Sequence, residues 1–402
     1  MVRTASLFSQ ILREIPRVEF ENLVRRHGTE RRSKGFSSWN QLVAMLFCHL
    51  AGADSLREIC NGISCCMGKL VHLGVSRKPN KSTLAYANVH RSADLYRDLL
   101  WAVLERFRSS GHLPRRQHRF RFRNKLFSLD STTISLCLSL FPWARFRRSK
   151  GGVKVHVLLD HDDYMPSFAA ISEARLNEAR IITTLRFNAG SIVVFDAAFN
   201  NFRLFAEWTE RGIFFVTRMK SHTVYEVSEE RPVPRNRNIL SDEIILLTGR
   251  RAPGKCPYPL RRIVVWDPEN ERTIVLLTNH LDFGATTISA IYKDRWQIEI
   301  FFKTLKQNLK IKTFIGTTEN ALRIQIWTAL LALVLLKWLH YLSRASWSFS
   351  NLASLLRLNL FSYRDLKEWL RSPFETPPLV PSAHQLALEM PGLGQPSRNL
   401  RG

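Results

Sequence analysis

The chain has 402 residues, 45% of them hydrophobic and 11% aromatic, which is enough for a sizeable interior and too long for one ordinary core, so two or three domains are expected. Lys and Arg number 59 against 34 Asp and Glu, for a formal charge of +25 spread along the whole chain; this disfavours basic partners and points to a polyanion, nucleic acid first. None of the six cysteines shows C-x-x-C spacing and the first residues carry no signal-peptide pattern, which argues against a zinc knuckle, a redox motif and a secreted disulfide scaffold and predicts reduced thiols in a cytoplasmic protein.

Residues 1–76 read as a small helical domain. Ser38 is the expected cap of a helix through Asn40, Leu42, Val43, Leu46, Phe47 and Leu50, and a second helix starts near Ser55. The turn Ala51-Gly52-Ala53 between them fits either a helix-turn-helix that recognises DNA ends or a simple packing domain. Residues 77–125 form a connector, with a helix from about Ser82 to Phe107 and then a basic stretch, 114–125, in which Phe120 and Phe122 alternate with cations. That composition suits contact with phosphates and bases, or a solvated linker.

Strands begin at Leu126. The runs Leu126–Asp130 and Ser191–Asp196 are apolar and end in a carboxylate, and Val153–Leu159 and Phe168–Ile171 are further strands. Helices follow at Glu178–Arg186 and Phe202–Arg211, with a strand at Ile213–Thr217. This order predicts an RNase H-like α/β core over 126–342. Within it, 220–285 reads as a β-rich insertion, with strands at Val224–Val227, Ile244–Leu247, Arg262–Trp266 and Thr273–Leu277. Helix returns at Ile288 and runs, with one break near Gly316, to Leu342. The segment Ile324–Leu342 approaches the length of a membrane span, but Arg323, Lys337 and His340 lie in or beside it and a buried core helix without a membrane is expected. Helices at 343–371 and a Pro-rich, disordered tail at 372–402 complete the chain.

Carboxyl ends of neighbouring strands are where sites form in open sheets. Asp130 and Asp196 therefore become candidates for a shared site, where a divalent cation would relieve their repulsion. A third carboxylate lies in YKDRWQIEIFFKTLK, where at ~100° per residue Tyr292, Arg295, Glu299 and Lys306 share one face. Ile291, Ile298, Phe301, Phe302, Leu305 and Leu309 form the adjoining apolar stripe. Three acids from two strands and a helix in a basic chain suit two-metal phosphoryl transfer with Mg²⁺ or Mn²⁺. Arg295, Lys306, Lys303, Lys150, Lys154, Arg218 and Lys220 are candidate phosphate contacts, and Tyr292 a hydrogen-bonding partner.

Asp130 in LDSTT, Asp196 in VVFDAAFNN and the spacing Y-x2-R-x3-E-x6-K resemble the DDE transposases of bacterial insertion sequences, in the insertion-sequence-four-type group with a Tyr-Arg-Glu-Lys signature. The first 76 residues resemble a small domain found ahead of such cores. The resemblance implies catalysis by Asp130, Asp196 and Glu299 on two metal ions, cleavage of double-stranded DNA at terminal inverted repeats, and transfer to target DNA by a synaptic homodimer associated with the nucleoid. It also implies hairpin intermediates. Members that form them stack a flipped base on a Trp in the last strand of the insertion; here that strand, RTIVLLTN, has none, and Trp266 in the preceding strand is the candidate. The alternatives are an RNase H-like nuclease without strand transfer and an inactive DNA-binding derivative.

Overall fold

A computed structural model describes residues 5–31, 33, 35–65, 70–75, 77–111, 113, 120–147, 150–175, 178–235, 237–249, 254–309, 313–343 and 347–379. They form two compact units, one comprising the residues up to Arg106 and those from Leu330 onward, the other Phe107 to Ala329.

The first unit is helical, beginning with α1 (Leu7–Leu12), α2 (Arg17–His27), α3 (Ser38–Ala51), α4 (Leu56–Ser64), α5 (Lys81–His90) and α6 (Asp94–Ser109). α3 is buried from Ser38 to Leu50, so it is the central rod rather than an exposed amphipathic helix. Its cap is Ser37 and not the predicted Ser38: the Ser37 hydroxyl accepts from the Asn40 amide, while Ser38 is already helical. Gly52, at φ 71°, ends α3, and Ser55 caps α4 by accepting from Glu58 N at 3.1 Å while Glu58 accepts from Asp54 N at 2.9 Å. The single helix expected over Ser82–Phe107 is two helices. The chain extends at Arg91 (ψ 141°), and its guanidinium donates to Ser37 O (2.9 Å) and Gln41 Oε1 (3.2 Å).

In the second unit, β1 (Leu126–Leu136), β2 (Arg145–Arg147), β3 (Lys150–Asp160) and β4 (Pro166–Glu173) precede α7 (Glu178–Ile182), β5 (Ile192–Phe195), α8 (Phe202–Glu210) and β6 (Phe214–Arg218). β3 is antiparallel to β1 and β4, whereas β5 is parallel to both β1 and β6. The resulting path β4-β3-β1-β5-β6 is an RNase H-like core. The expected insertion supplies β7 (Tyr225–Glu230), β8 (Ile239–Leu247), β9 (Leu260–Asp267) and β10 (Arg272–Thr278). These strands extend the core sheet instead of forming their own, because β10 pairs antiparallel with β6. Asn279 secures that junction, accepting from Phe215 N and donating to Ile213 O, both at 2.9 Å.

The helical stretch predicted from Ile288 has an unexpected break at Arg295, between α9 (Ala285–Asp294) and α10 (Trp296–Asn308), and its expected one near Gly316, between α10 and α11 (Glu319–Leu342). A buried Arg261–Asp242 pair at 2.6 Å joins β9 to β8, and Arg261 also donates to the carbonyls of Leu281 and Phe283 just ahead of α9. Side chains alternate between the two faces of the sheet. Leu126, Ile192, Val194 and Val216 pack on Ile288 and Ile291 of α9, while Leu129, Val193, Phe195 and Phe215 pack on Leu204, Phe205 and Trp208 of α8.

α11 is the one described helix long and apolar enough to cross a membrane, and it is buried in protein over most of its length. In the first unit, α12 (Phe349–Asn359) and α13 (Leu366–Arg371) frame the N-terminus: Leu7 N donates to Ser362 O at 3.0 Å, Phe8 N to Leu360 O at 2.8 Å, and Phe47 stacks on Phe361. Of the tail expected to be disordered from Ser372, residues as far as Leu379 are described: Thr376 is buried and Leu379 N donates to Tyr363 O at 2.6 Å, while Phe374 is exposed; the rest of the predicted tail lies outside the described residues.

α4 approaches α3 through Gly62, where an added Cβ would stand 2.5 Å from Phe47 Cζ. Phe47 is buried against Phe361 and Phe8 and has little room to yield. Gly62→Ala is therefore expected to destabilise the helical unit by about 1–3 kcal/mol, read as a lower midpoint in urea at unchanged slope.

Candidate active site

β1 and β5 are in parallel register from Leu126↔Ile192 to Leu129↔Phe195, so Asp130 and Asp196 each follow the last residue paired between these two strands. Asp130 does not end its strand, as the sequence suggested. β1 continues to Leu136, paired with β3 alone, because the serines and threonines after Asp130 still satisfy a ladder on one side. Asp196 opens a short 3-10 turn, Ala197–Phe199. By alternation from Leu126 and Ser128, Asp130 faces α9 and α10.

Those helices meet at Arg295, which closes α9 and precedes α10. The signature is therefore not one straight helical stripe, since Tyr292 lies on α9, Arg295 at the joint and Glu299 in the first turn of α10. Arg295 Nη1 donates to Asp130 Oδ2 at 3.0 Å and Nη2 to Glu299 Oε1 at 2.6 Å. One guanidinium thus bridges two of the three acids. A second arginine holds the third: Arg218, at the end of β6, donates to Asp196 Oδ1 from Nε (2.9 Å) and Nη2 (2.7 Å). The Tyr292 ring lies 5.5 Å from the Arg295 guanidinium carbon.

Burial pushes the Asp130 carboxyl up to about 6, with Asp196 and Glu299 adding to the rise and Arg295 and the Ser131 amide opposing it. Burial likewise raises the Tyr292 phenol, against the pull of Arg295 and Arg218. Both arginines are driven upward despite burial, by Tyr292 and by the carboxylates they hold. The donor set is all oxygen, the class that Mg²⁺ and Mn²⁺ take. Even so, among the described residues no three such groups are poised to hold a metal ion as they stand, and guanidinium groups bond an oxygen of each of the three carboxylates.

Lys303 is exposed and Lys306 half-buried, one and two turns beyond Glu299 on α10. Lys220 is half-buried just past β6. Lys154 is elsewhere: it is the register partner of Thr133, on the face opposite Asp130, and donates to Glu178 at 3.0 Å. Lys150 begins β3. Trp266 is partly exposed on β9. From Arg218 the register runs through Leu276 to Ile263, placing Trp266 beyond the carboxyl end of β6, roughly 10 Å across the sheet and 10 Å along it. Because Ile263 and Val265 pack on the α9 face, alternation puts Trp266 on the face opposite Asp130, away from the candidate site.

Residues 114–119 of the basic stretch lie outside the described residues. Phe120 and Phe122 stack on each other (5.0 Å) and Phe122 stacks on Phe283 (4.9 Å), so these rings are engaged by protein. The three acids of the β3–β4 turn are engaged as well: Lys125 holds Asp160 and Asp162, and Arg108 holds Asp163 at 2.9 Å. Sequence reasoning missed Glu178, which accepts from Ser131 Oγ (2.6 Å) as well as from Lys154, and Asp294, buried immediately before Arg295. No spacing signal marks either, since their partners are far away in the chain.

A family model described as a transposase DDE domain matches residues 121–335, and one described as a domain of unknown function matches residues 3–76. The chain is similar to a putative transposase of Sinorhizobium fredii, with 32% identity over 311 residues, 76% of this chain and 83% of that protein. It is also similar to a probable insertion-sequence transposase of Geobacillus stearothermophilus, at 31% identity over 221 residues, 55% of this chain and 58% of that one. A solved piggyBac transposase synaptic complex with hairpin DNA aligns with 93% of this chain and 81% of its own at TM-score 0.43 and 12% identity, a likeness too distant to argue from.

A carboxyl raised to about 6 binds its proton more tightly folded than unfolded, so its contribution to stability falls as pH rises from about 4 to 6 and stays low above that. Asp130→Asn removes this penalty. In chelator at pH 8 the variant is expected to be more stable than wild type by roughly 2–3 kcal/mol, the energy of the shift, with the difference vanishing below about pH 4 in denaturant titrations.

Proposed function

The chain belongs to the transposase DDE domain family, and on that premise we propose that it cuts DNA at the terminal inverted repeats of an insertion sequence and joins the freed ends to target DNA, with Asp130, Asp196 and Glu299 as the reaction centre. The observation that carries this reading is the single Arg295 guanidinium bonded to both Asp130 and Glu299. It brings a mid-strand acid and a helix acid 169 positions apart in the chain to one point, beside the Asp196 that follows the neighbouring strand.

Divalent ions held on these three carboxylates would activate a water or 3′-hydroxyl and stabilise the departing oxygen in an in-line displacement. The protein's own part is positioning. Arg295 and Arg218 offset two of the three negative charges in the free protein, and a DNA phosphate offers both guanidiniums a bidentate partner that leaves carboxylate oxygens open. The Tyr292 phenol is hydrogen-bonded to Arg295, so it would travel with that guanidinium towards the same phosphate. Asp130, with its raised pKa, holds a proton below about pH 6, which weakens its affinity for cations in mild acid. Lys303, Lys306 and Lys220 extend the cationic surface beyond the acids, fixing DNA register without reading sequence. Synapsis of two ends calls for two copies of the chain, and a homodimer on DNA is part of the reading.

Purified protein and a duplex carrying the element's ends provide the test. Wild type is expected to cleave with Mg²⁺ or Mn²⁺ and not in chelator. Asp130→Ala and Glu299→Gln are expected to bind the ends and cleave at least about a thousandfold more slowly, a loss of ~4 kcal/mol. Equal cleavage by the variants removes the assignment, and cleavage without joining favours a plain nuclease. Trp266, on the sheet face opposite Asp130, is left out of the reaction centre; Trp266→Ala is expected to change binding of paired and pre-opened ends alike by less than about twofold, below the ~1–3 kcal/mol of one stacking contact.

A further inference from the structure

We propose that Ser128, His161, Tyr164 and Asp294 form a positioning network that fixes Arg295 and, through it, the separation of Asp130 and Glu299. The proposal rests on reading those carboxylates as the reaction centre, and it assigns a role to side chains that contact neither DNA nor ion.

Asp294 is the last residue of α9, directly before Arg295, and is only 2% exposed. Its Oδ2 accepts from His161 Nδ1 at 2.7 Å and from the Tyr164 hydroxyl at 3.1 Å. With Asp294 as the carboxylate, Nδ1 is the donor of this bond. The other imidazole nitrogen, Nε2, is 2.6 Å from Ser128 Oγ. Ser128 is fully buried and stands two residues before Asp130 on β1. A continuous chain of hydrogen bonds therefore runs from the α9–α10 joint to the strand that bears Asp130.

The turn that supplies His161 and Tyr164 is itself braced. His161 N donates to Leu126 O at 3.0 Å, and Lys125 and Arg108 hold the three flanking aspartates. Tyr164 has φ 49°, a left-handed conformation that costs a bulky residue on the order of 1 kcal/mol. That strained backbone brings the phenol hydroxyl to Asp294. Burying a carboxylate is costly unless donors meet it, and an apolar residue would pack a helix end more cheaply. What an apolar residue lacks is a directional hold on the joint. An arginine side chain reaches about 6–7 Å, so a 10° turn of the joint displaces its guanidinium by about 1 Å, a misplacement able to cost 10²-fold in rate.

The test uses the full chain with Tyr164→Phe, which removes one hydroxyl, and Asp294→Asn, which removes the charge and keeps the shape. Two readouts are taken: the Arg295 Nε–H signal in labelled, metal-free protein, and the single-turnover rate of end cleavage alongside DNA-end affinity and melting temperature. The network predicts a broadened or shifted Arg295 signal and a rate at least tenfold lower, with affinity and melting temperature held near wild type. An unchanged Arg295 signal overturns it, as does a rate that falls only in proportion to the fraction folded. If wild type cleaves no DNA end, the proposed function fails, and the Arg295 signal still decides the network.

Discussion

One planar cation, the Arg295 guanidinium, is the point on which the second unit converges. It bonds a carboxylate from β1 and one from α10, and its positive charge offsets the repulsion between them. The sheet and the helices each supply one side of this bridge. The core packing of Ile288 and Ile291 against Val194 and Val216 brings α9 onto the sheet face that Asp130 occupies. Arg261, by holding the carbonyls ahead of α9, fixes where that helix begins.

A site made this way is assembled against its own stability. Asp130 is buried far enough for its carboxyl to be raised to about 6 even with an arginine attached, so at neutral pH the fold carries a penalty for keeping it ionised. On the proposed function, a bound cation would relieve that penalty, because a carboxylate short of solvation gains most from a new positive neighbour. Arg218 on Asp196 completes the pattern: two guanidiniums serve the three acids, one of them shared by Asp130 and Glu299.

Much of this site can be read locally in the sequence. An apolar strand followed by Asp marks Asp130 and Asp196 because strand burial and chain direction are short-range properties, and Arg295 and Glu299 are one helical turn apart. What escapes depends on register and on breaks. Periodicity near ~100° per residue persists on both sides of the Arg295 joint, so the interruption between α9 and α10 leaves no trace in the pattern. Lys154 looks like any other basic residue near the site until pairing with Thr133 puts it on the far face with Glu178. Arg218 reads as a phosphate ligand, yet parallel pairing of β5 and β6 brings it to Asp196. The His161–Asp294 bond spans 133 positions and has no local signature, and continuity of the sheet through β6 and β10 depends on Asn279, a residue that alone suggests only a turn.

The central claim is that these three acids become a divalent-ion site when DNA draws the arginines away. Mn²⁺ binding followed by electron paramagnetic resonance, with and without a DNA end, tests it most directly. DNA is expected to tighten Mn²⁺ binding at least tenfold in wild type, and replacement of Asp196 by Asn is expected to abolish the gain. The same DNA-dependent tightening in a chain lacking all three acids would contradict the account.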